Sequence, residues 1–451
     1  MRTRALVAAA VVALFAKGAR ADDEETRARL DALTARLDEQ ARKIEKLESA
    51  KKDYEISGYA QIDFVPYRQS SQDELDGATR EPLNEDRFLL RRARLRVDSD
   101  RGIFAGSMDL DANTVSGLQV RPWGAEVTAK YPASTPAPSP RKTDLTALSD
   151  ATFIAVSAGL LYTPFGFEVQ EYELQRPFLE RSTMSNALFP NSGDLGLRVL
   201  GGFKYVVYSL GIMNGDPIGE KTFPGRDPNK SKDLVFRVGT NAKPTKGLRI
   251  SAGVSGLTGR GFHEGTPTTK DVLVWRDANE DGQVAPQEIS VIPGAPASPS
   301  ENFSRFALGG DLRVAIAIPC LGDLAVRGEI VRAKNLDRGL VVADPVAASR
   351  DLRESGFYVG ATQELTKWGL VGVRYDRYDP DSDRDEQQAL VRVPVDASMR
   401  TWSFTAGARF DKARITVQYD LRRNSLGRAD SGTPTTLADD SLTIRAEVGF
   451  W

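Results

Sequence analysis

From Tyr54 onward the chain alternates apolar and polar residues with a period of two. Tyr54, Ile56, Gly58, Ala60, Ile62 and Phe64 fall on one face, and Glu55, Ser57, Tyr59, Gln61 and Asp63 on the other. Neighbouring strand side chains point to opposite sides, so this pattern specifies a strand with one apolar and one polar face. It returns at Leu248, Ile250, Ala252 and Val254 against Arg249 and Ser251, and at Phe306, Leu308, Leu312, Val314 and Ile316 against Arg305, Asp311 and Arg313. Ile415, Val417, Tyr419 and Leu421 against Arg414, Thr416, Gln418 and Asp420 repeat it again. The runs are about ten to thirteen residues long, beyond the usual five or six of a soluble strand and matched to a tilted membrane strand. After residue 21, charges interrupt every apolar stretch well short of the roughly 20 residues a membrane helix needs. A membrane role then requires a closed barrel or a peripheral attachment.

The connectors sharpen this to an all-β transmembrane barrel. Long segments near 67–86, 259–302, 336–352 and 380–398 alternate with tight turns at Ser99-Asp100-Arg101, Pro319-Cys320-Leu321-Gly322, Thr366-Lys367 and Asp411-Lys412. Long outer loops and short periplasmic turns are the mark of such barrels, and about 16 antiparallel strands leave both termini on the periplasmic side. The Pro-rich stretch 132–141 falls where a short turn belongs, so either that turn is extended or the fourth strand lies elsewhere. The chain ends on Leu442, Ile444, Ala446, Val448 and Phe450, an alternating strand finishing in aromatics, with Trp451 one place beyond.

Ahead of the barrel the pattern differs. Arg2 and Arg4, the apolar run Ala5 to Ala16 and Ala19-Arg20-Ala21 form a signal peptide over 1–21, so the mature chain is expected to begin near Asp22 in a secreted, outer-membrane setting. Residues 22–53 hold a periplasmic helix in which Leu30, Leu33, Leu37, Gln40, Ile44 and Leu47 step by three and four, the seam of a coiled coil. A single amphipathic helix is the alternative. The barrel is assigned 54–451.

Several functions are disfavoured by the inventory. With 60 basic and 62 acidic residues, net charge −2, there is no footprint for nucleic acid. A single cysteine, Cys320, and a single histidine, His263, exclude an intramolecular disulfide and Cys/His zinc clusters. His263 sits in Gly261-Phe262-His263-Glu264-Gly265 without an orienting neighbour in sequence, so a barrel enzyme such as a lipase is disfavoured. A structural protein tying the outer membrane to the cell wall through the coiled coil is a third class.

The chemistry is concentrated in Phe88-Leu89-Leu90-Arg91-Arg92-Ala93-Arg94-Leu95-Arg96-Val97. Ala93, Leu95 and Val97 share a face, which puts Arg92, Arg94 and Arg96 on the other at intervals of about 6.6 to 6.8 Å. Facing lipid, each would cost kilocalories, so the ladder faces the lumen. The same logic turns Arg198, Arg237, Arg249, Arg305, Arg313, Arg327, Arg374, Arg409, Arg414 and Arg445 inward, against Asp109, Asp111, Asp311, Glu329, Asp376, Asp420 and Glu447. An excess of wall cations favours small anions as solutes.

The sequence resembles the phosphate-selective porin O and P family over nearly the whole mature barrel. The resemblance rests on Arg91-Arg92-Ala93-Arg94-Leu95, Leu161-Tyr162-Thr163-Pro164-Phe165-Gly166-Phe167-Glu168, Phe178-Leu179-Glu180-Arg181-Ser182 and Gly211-Ile212-Met213-Asn214-Gly215, in that order. It implies a homotrimer in outer-membrane lipid, each barrel having a third loop folded inward, here about Gly166 to Gly193. Phosphate-specific members place basic residues, lysine among them, at the constriction. This loop has no lysine and sets Glu168, Glu171, Glu173 and Glu180 against Arg176 and Arg181. An acidic loop facing an arginine wall would create a transverse field. Some related porins with an N-terminal coiled coil carry dicarboxylates, a second substrate class beside general diffusion.

No cofactor is required by this reading. One outer segment, Asp277-Ala278-Asn279-Glu280-Asp281-Gly282-Gln283-Val284-Ala285-Pro286-Gln287-Glu288, matches a calcium loop, with Asp277, Asn279, Asp281, Gln283 (through its carbonyl) and Glu288 as ligands of a structural Ca2+. An ordinary Asp/Asn/Gly turn fits the same residues.

Overall fold

A computed structural model of the chain describes residues 39, 54–66, 76, 78–79, 86–115, 117–135, 152–215, 227–388, 391–427 and 439–450. The signal peptide and coiled coil expected over 1–53 lie outside the described residues, apart from the helical Glu39, as does Trp451. Met1–Glu55 and Ile56–Trp451 are separate compact units, and the second holds the barrel.

In chain order the strands are β1 (Glu55–Val65), β2 (Arg87–Arg101), β3 (Phe104–Asn113), β4 (Gln119–Tyr131), β5 (Phe153–Tyr162), β6 (Gly193–Phe203), β7 (Val206–Met213), β8 (Asp233–Thr245), β9 (Leu248–His263) and β10 (Val272–Trp275). They continue as β11 (Ile289–Ile292), β12 (Glu301–Ile318), β13 (Gly322–Lys334), β14 (Arg353–Leu365), β15 (Gly369–Asp379), β16 (Asp385–Gln388), β17 (Val391–Pro394), β18 (Met399–Phe410), β19 (Ala413–Asn424) and β20 (Ser441–Phe450). Sixteen of them close into one antiparallel barrel, while β10–β11 and β16–β17 are small hairpins inside two long loops. The barrel is sealed where β1 meets β20, from Gly58 opposite Phe450 to Phe64 opposite Ile444. Gly58 is needed there: a Cβ would stand 2.2 Å from the Arg94 carbonyl oxygen and 2.3 Å from the Phe450 ring.

The polarity is inverted relative to a soluble protein. Leu308, Leu312, Ile316, Val326, Ile330 and Val359 are exposed on the outside, while Arg305, Asp311, Arg327 and Glu329 from the same strands are buried inside. An outward face of this composition is what a barrel presents to lipid. Among the described residues no helix is long and apolar enough to cross a membrane.

Loop alternation holds with three corrections. The first tight turn is Gly102-Ile103, not Ser99 to Arg101, because β2 continues to Arg101 and Gly102 supplies the positive φ of the reversal. The long segment expected from 259 begins at 264, since β9 keeps pairing with β12 as far as His263 opposite Glu301. The Pro-rich stretch falls in the connector between β4, which ends at Tyr131, and β5, which starts at Phe153, so the fourth strand lies ahead of it and the connector is longer than a tight turn; 136–151 are outside the described residues.

Leu312 sits mid-strand on the outer face, so Leu312→Arg is expected to make folding into lipid vesicles less favourable by about 2–4 kcal/mol. The same substitution at Gln363, on the short-turn end of β14, is expected to cost roughly 0–1 kcal/mol, as depth dependence requires.

Candidate functional site

The segment 163–192 between β5 and β6 runs through the barrel interior. It turns at Gly166, whose φ of +60 leaves no room for a side chain: a Cβ would lie 2.3 Å from Glu329 Oε2. The Gly166 amide donates to Ser255 Oγ at 2.9 Å, and the Glu168 amide donates to Glu329 Oε1 at 2.5 Å. Further on, the short helix α1 (Thr183–Leu188) is capped by the Ser182 hydroxyl, which accepts from the Ser185 amide. The Ser182 amide and hydroxyl in turn donate to Glu168, at 2.9 and 2.6 Å. Its apolar side is a core of Phe165, Val169, Met184, Leu188 and Phe189 with wall residues Leu161, Met213 and Val235. A loop buried on this scale is held, not draped.

Its charged side is held by ion pairs to the wall. Glu173 takes Arg94 at 2.6 Å, Glu171 takes Arg327 at 2.8 Å, and Glu168 takes Arg374 at 3.2 Å. Glu180 receives Arg91 at 3.0 Å, Arg92 at 2.8 Å and Arg445 at 2.8 Å. Backbone bonds complete the seating, with the Leu179 amide donating to Gln418 and Arg414 donating to the Arg176 carbonyl. Arg176 also donates to the Glu171 carbonyl, and Arg181 caps the end of α1 through the Phe189 and Pro190 carbonyls. The four acids therefore do not face the arginines across a gap. They touch them.

Most of the remaining wall arginines are matched as well, while Arg409 is exposed at the end of β18. Arg94 also bonds Asp111 and lies 4.0 Å from the Trp123 ring centroid, while Arg96 bonds Asp98 and Asp109. Arg198 pairs with Glu126, Arg237 with Asp311 through two bonds, Arg305 with Asp233, Arg249 with Asp323, Arg414 with Glu447 and Arg445 with Asp63. Arg313 stacks 5.3 Å from the Phe167 ring. The sequence-based surplus of wall cations came from leaving out Asp63, Asp98, Glu126, Asp233 and Asp323. Asp63 lies directly opposite Arg445 in register, Asp98 stands two places along the same strand from Arg96, and Glu126, Asp233 and Asp323 reach their arginines across an intervening strand.

A surplus does survive in one place. Between residues 179–186 of the inward loop and strands β1, β2, β15 and β18–β20 lies a cavity of about 510 Å³. Its lining contains Arg87, Arg91, Arg181, Arg374, Arg400, Arg422, Arg423 and Arg445 against Asp63, Glu180, Asp376, Asp420 and Asp439, eight cations to five carboxylates. Arg91 was not counted inward from the sequence, because adjacent strand residues normally take opposite faces. Here the alternation slips, and Arg91 and Arg92 reach the same carboxylate.

The calcium-type segment is closed on its own amides. Asp277 accepts from the Asp281 and Gly282 amides, Asn279 from Asp281, Asp281 from Gln283, and Glu288 from Ala278, Ala285 and the Trp275 indole. Among the described residues no three His, Cys, Asp or Glu side chains are placed to hold a metal ion. The residues as they stand form the Asx-type turn, with β10 and β11 as its stem. His263, in turn, has an orienting partner the sequence did not reveal: its Nδ1 lies 2.7 Å from Asp344 Oδ2, between the end of β9 and the cap of a short helix, α2 (Pro345–Ala348).

Solved structures share this architecture. OprB of Pseudomonas putida superposes with a TM-score of 0.54 at 10% identity, covering 90% of this chain and 96% of that one. The outer membrane channel DcaP of Acinetobacter baumannii gives 0.49 at 11%, covering 88% and 97%, and an anion-selective porin from Comamonas acidovorans gives 0.46 at 12%, covering 88% and 99%. No family model and no curated protein matches the sequence. At such identity the likeness to OprB is one of fold alone.

Two expectations follow for the inward loop. Arg94→Met leaves Asp111 and Glu173 buried without their shared cation and is expected to cost about 3–5 kcal/mol, read from thermal unfolding by circular dichroism in detergent. Burial by itself raises the Glu173 carboxyl, but Arg94, Arg176 and Arg92 outweigh it and hold it at about 2. A depressed carboxylate stabilises fully above its ordinary value of 4.5 and loses that contribution as pH falls toward about 2. The stability gap between wild type and Glu173→Gln is therefore expected to stay constant down to pH 4.5 and close below it; a gap that closes at higher pH would contradict the pairing.

Proposed function

We propose that this chain is a passive outer-membrane channel of the porin type for small hydrophilic solutes, preferring anions, and of the phosphate-selective porin O and P kind that its motifs resemble. The observation that carries the reading is the lumenal cavity with eight arginines against five carboxylates beside an inward-folded loop. Asp396 and Asp440 pair with Arg400 and Arg423 from beside the lining, so the arginines exceed the carboxylates by one; charge confined in a low-dielectric wall acts strongly on a passing ion, and this surplus favours anions. Chemistry on the solute is not needed for this work. Among the described residues no Ser, Thr or Cys side chain bonds the His263 ring.

The buried ladder contributes by holding the loop, and the exposed arginines at the cavity by setting the field. In a potassium chloride gradient across a planar bilayer, the zero-current potential is expected to indicate anion preference, fading near 1 M salt where the Debye length is about 3 Å. Arg91→Gln, Arg422→Gln and Arg423→Gln together are expected to move that potential toward or past zero. An unchanged potential would remove the cavity from the selectivity argument. Replacing Arg92, Arg94 and Arg96 together is expected instead to destabilise the barrel, since it strips cations from Glu173, Asp109 and Asp111.

The segment 24–52 enters the same proposal as a trimeric coiled coil in the periplasm. Three or four heptads are marginal alone and gain stability from the raised effective concentration of three tethered copies. Deleting 24–52 is expected to lower the thermal dissociation temperature of the detergent-solubilised trimer, whereas an unchanged temperature would speak for a lone helix.

A further inference from the structure

We infer that the lumenal cavity selects polyhydroxylated carboxylates, the class of sugar acids, over alkyl carboxylates of equal charge and length. The inference rests on the channel reading above and deepens it. Strand register fixes the layout of the wall. Thr401 on β18 lies opposite Arg422 on β19, and Asp420 lies opposite Ser441 on β20. One further step along, Gln418 lies opposite Thr443. Neighbouring rows are separated by about 7 Å, so a solute anchored at the first row extends its chain over the next.

The first row carries the charge. The side chains of Arg422 and Arg423 are 42% and 55% exposed, whereas Arg445 and Arg374, deeper in the same cavity, are about as buried as core residues. A carboxylate is therefore met at the outer end. Past it, the wall offers the hydroxyls of Thr401, Ser441 and Thr443. Ser441 already accepts from Arg422, while among the described residues no hydrogen bond engages the Thr401 or Thr443 side chain. An alkyl chain lying over this wall would cover polar groups and return nothing. A polyol chain satisfies them.

The test uses the full-length protein in a planar bilayer with gluconate and hexanoate as added blockers, six carbons and one charge each. The half-blocking concentration of gluconate is expected to be roughly tenfold below that of hexanoate, the equivalent of one or two neutral hydrogen bonds. Thr401→Val with Thr443→Val is expected to bring the two values together. Should the double variant fail to insert, Thr443→Val alone is expected to lose about threefold of the difference. Equal blocking in the wild type overturns the inference, and so does a difference that survives in these variants. The zero-current potential separates this from the reading beneath it: cation preference defeats the anion channel, while anion preference with equal blocking defeats only the solute class.

Discussion

A strand surrounded by hydrocarbon has no water to bond its backbone, so every N–H and C=O must find a partner on a neighbouring strand. Only a closed sheet gives each strand two neighbours. The β1–β20 seam is where that condition is met, and its fit is tight enough that Gly58 must yield its side-chain space to the Phe450 ring. Closure then dictates which way polarity runs. One face of each strand looks at lipid, and the other looks into an enclosed space about which the sequence must decide whether it is filled or wet.

Here it is both, in different places. The inward loop fills one side with an apolar core around Phe165, Met184 and Phe189, and it brings its own carboxylates to guanidinium groups already on the wall. Unpaired, those charges would be costly in so little water, and a pair with one member removed is worse than no pair. The loop and the ladder are thus mutually required, which explains why four glutamates occur in a segment that otherwise reads as hydrophobic. On the side the loop leaves open, Arg422 and Arg423 stay half exposed and keep their field.

The fold was legible because its signal is periodic and repeated. Alternation along β1, β9, β12 and β19, the long and short connectors, and the even strand number all follow from local residue order, and errors were confined to ends, as at Arg101 and His263. Less legible was the charge balance. Which aspartate meets which arginine depends on register between strands: Asp63 meets Arg445 across 382 positions of sequence, and Arg237 meets Asp311 across 74. A one-residue slip near Arg91 was equally hidden, since strict alternation places that side chain outside. The calcium-type motif is ambiguous for a related reason. Asp, Asn and Gly at those spacings satisfy either an ion or the chain's own amides, and the residue types alone do not choose.

The Arg91 slip has a consequence for how the site works. With strict alternation Glu180 would meet Arg92 and Arg445 alone, one carboxylate between two cations. The slip adds a third guanidinium at 3.0 Å, so the cluster carries more positive charge than its acids cancel even after Asp63 is counted. Like charges so close repel, and the arrangement persists because Glu180 is fixed by the loop and Asp63 by β1. Glu180 responds in the opposite sense: burial raises its carboxyl, but Arg91, Arg92 and Arg445 together drive it well below the ordinary range, so it stays ionised wherever the barrel is folded. Around Glu180 the arginines outnumber the carboxylates they meet, Glu180 and Asp63, by one. A field built from guanidinium groups held in this way suits the proposed passive channel.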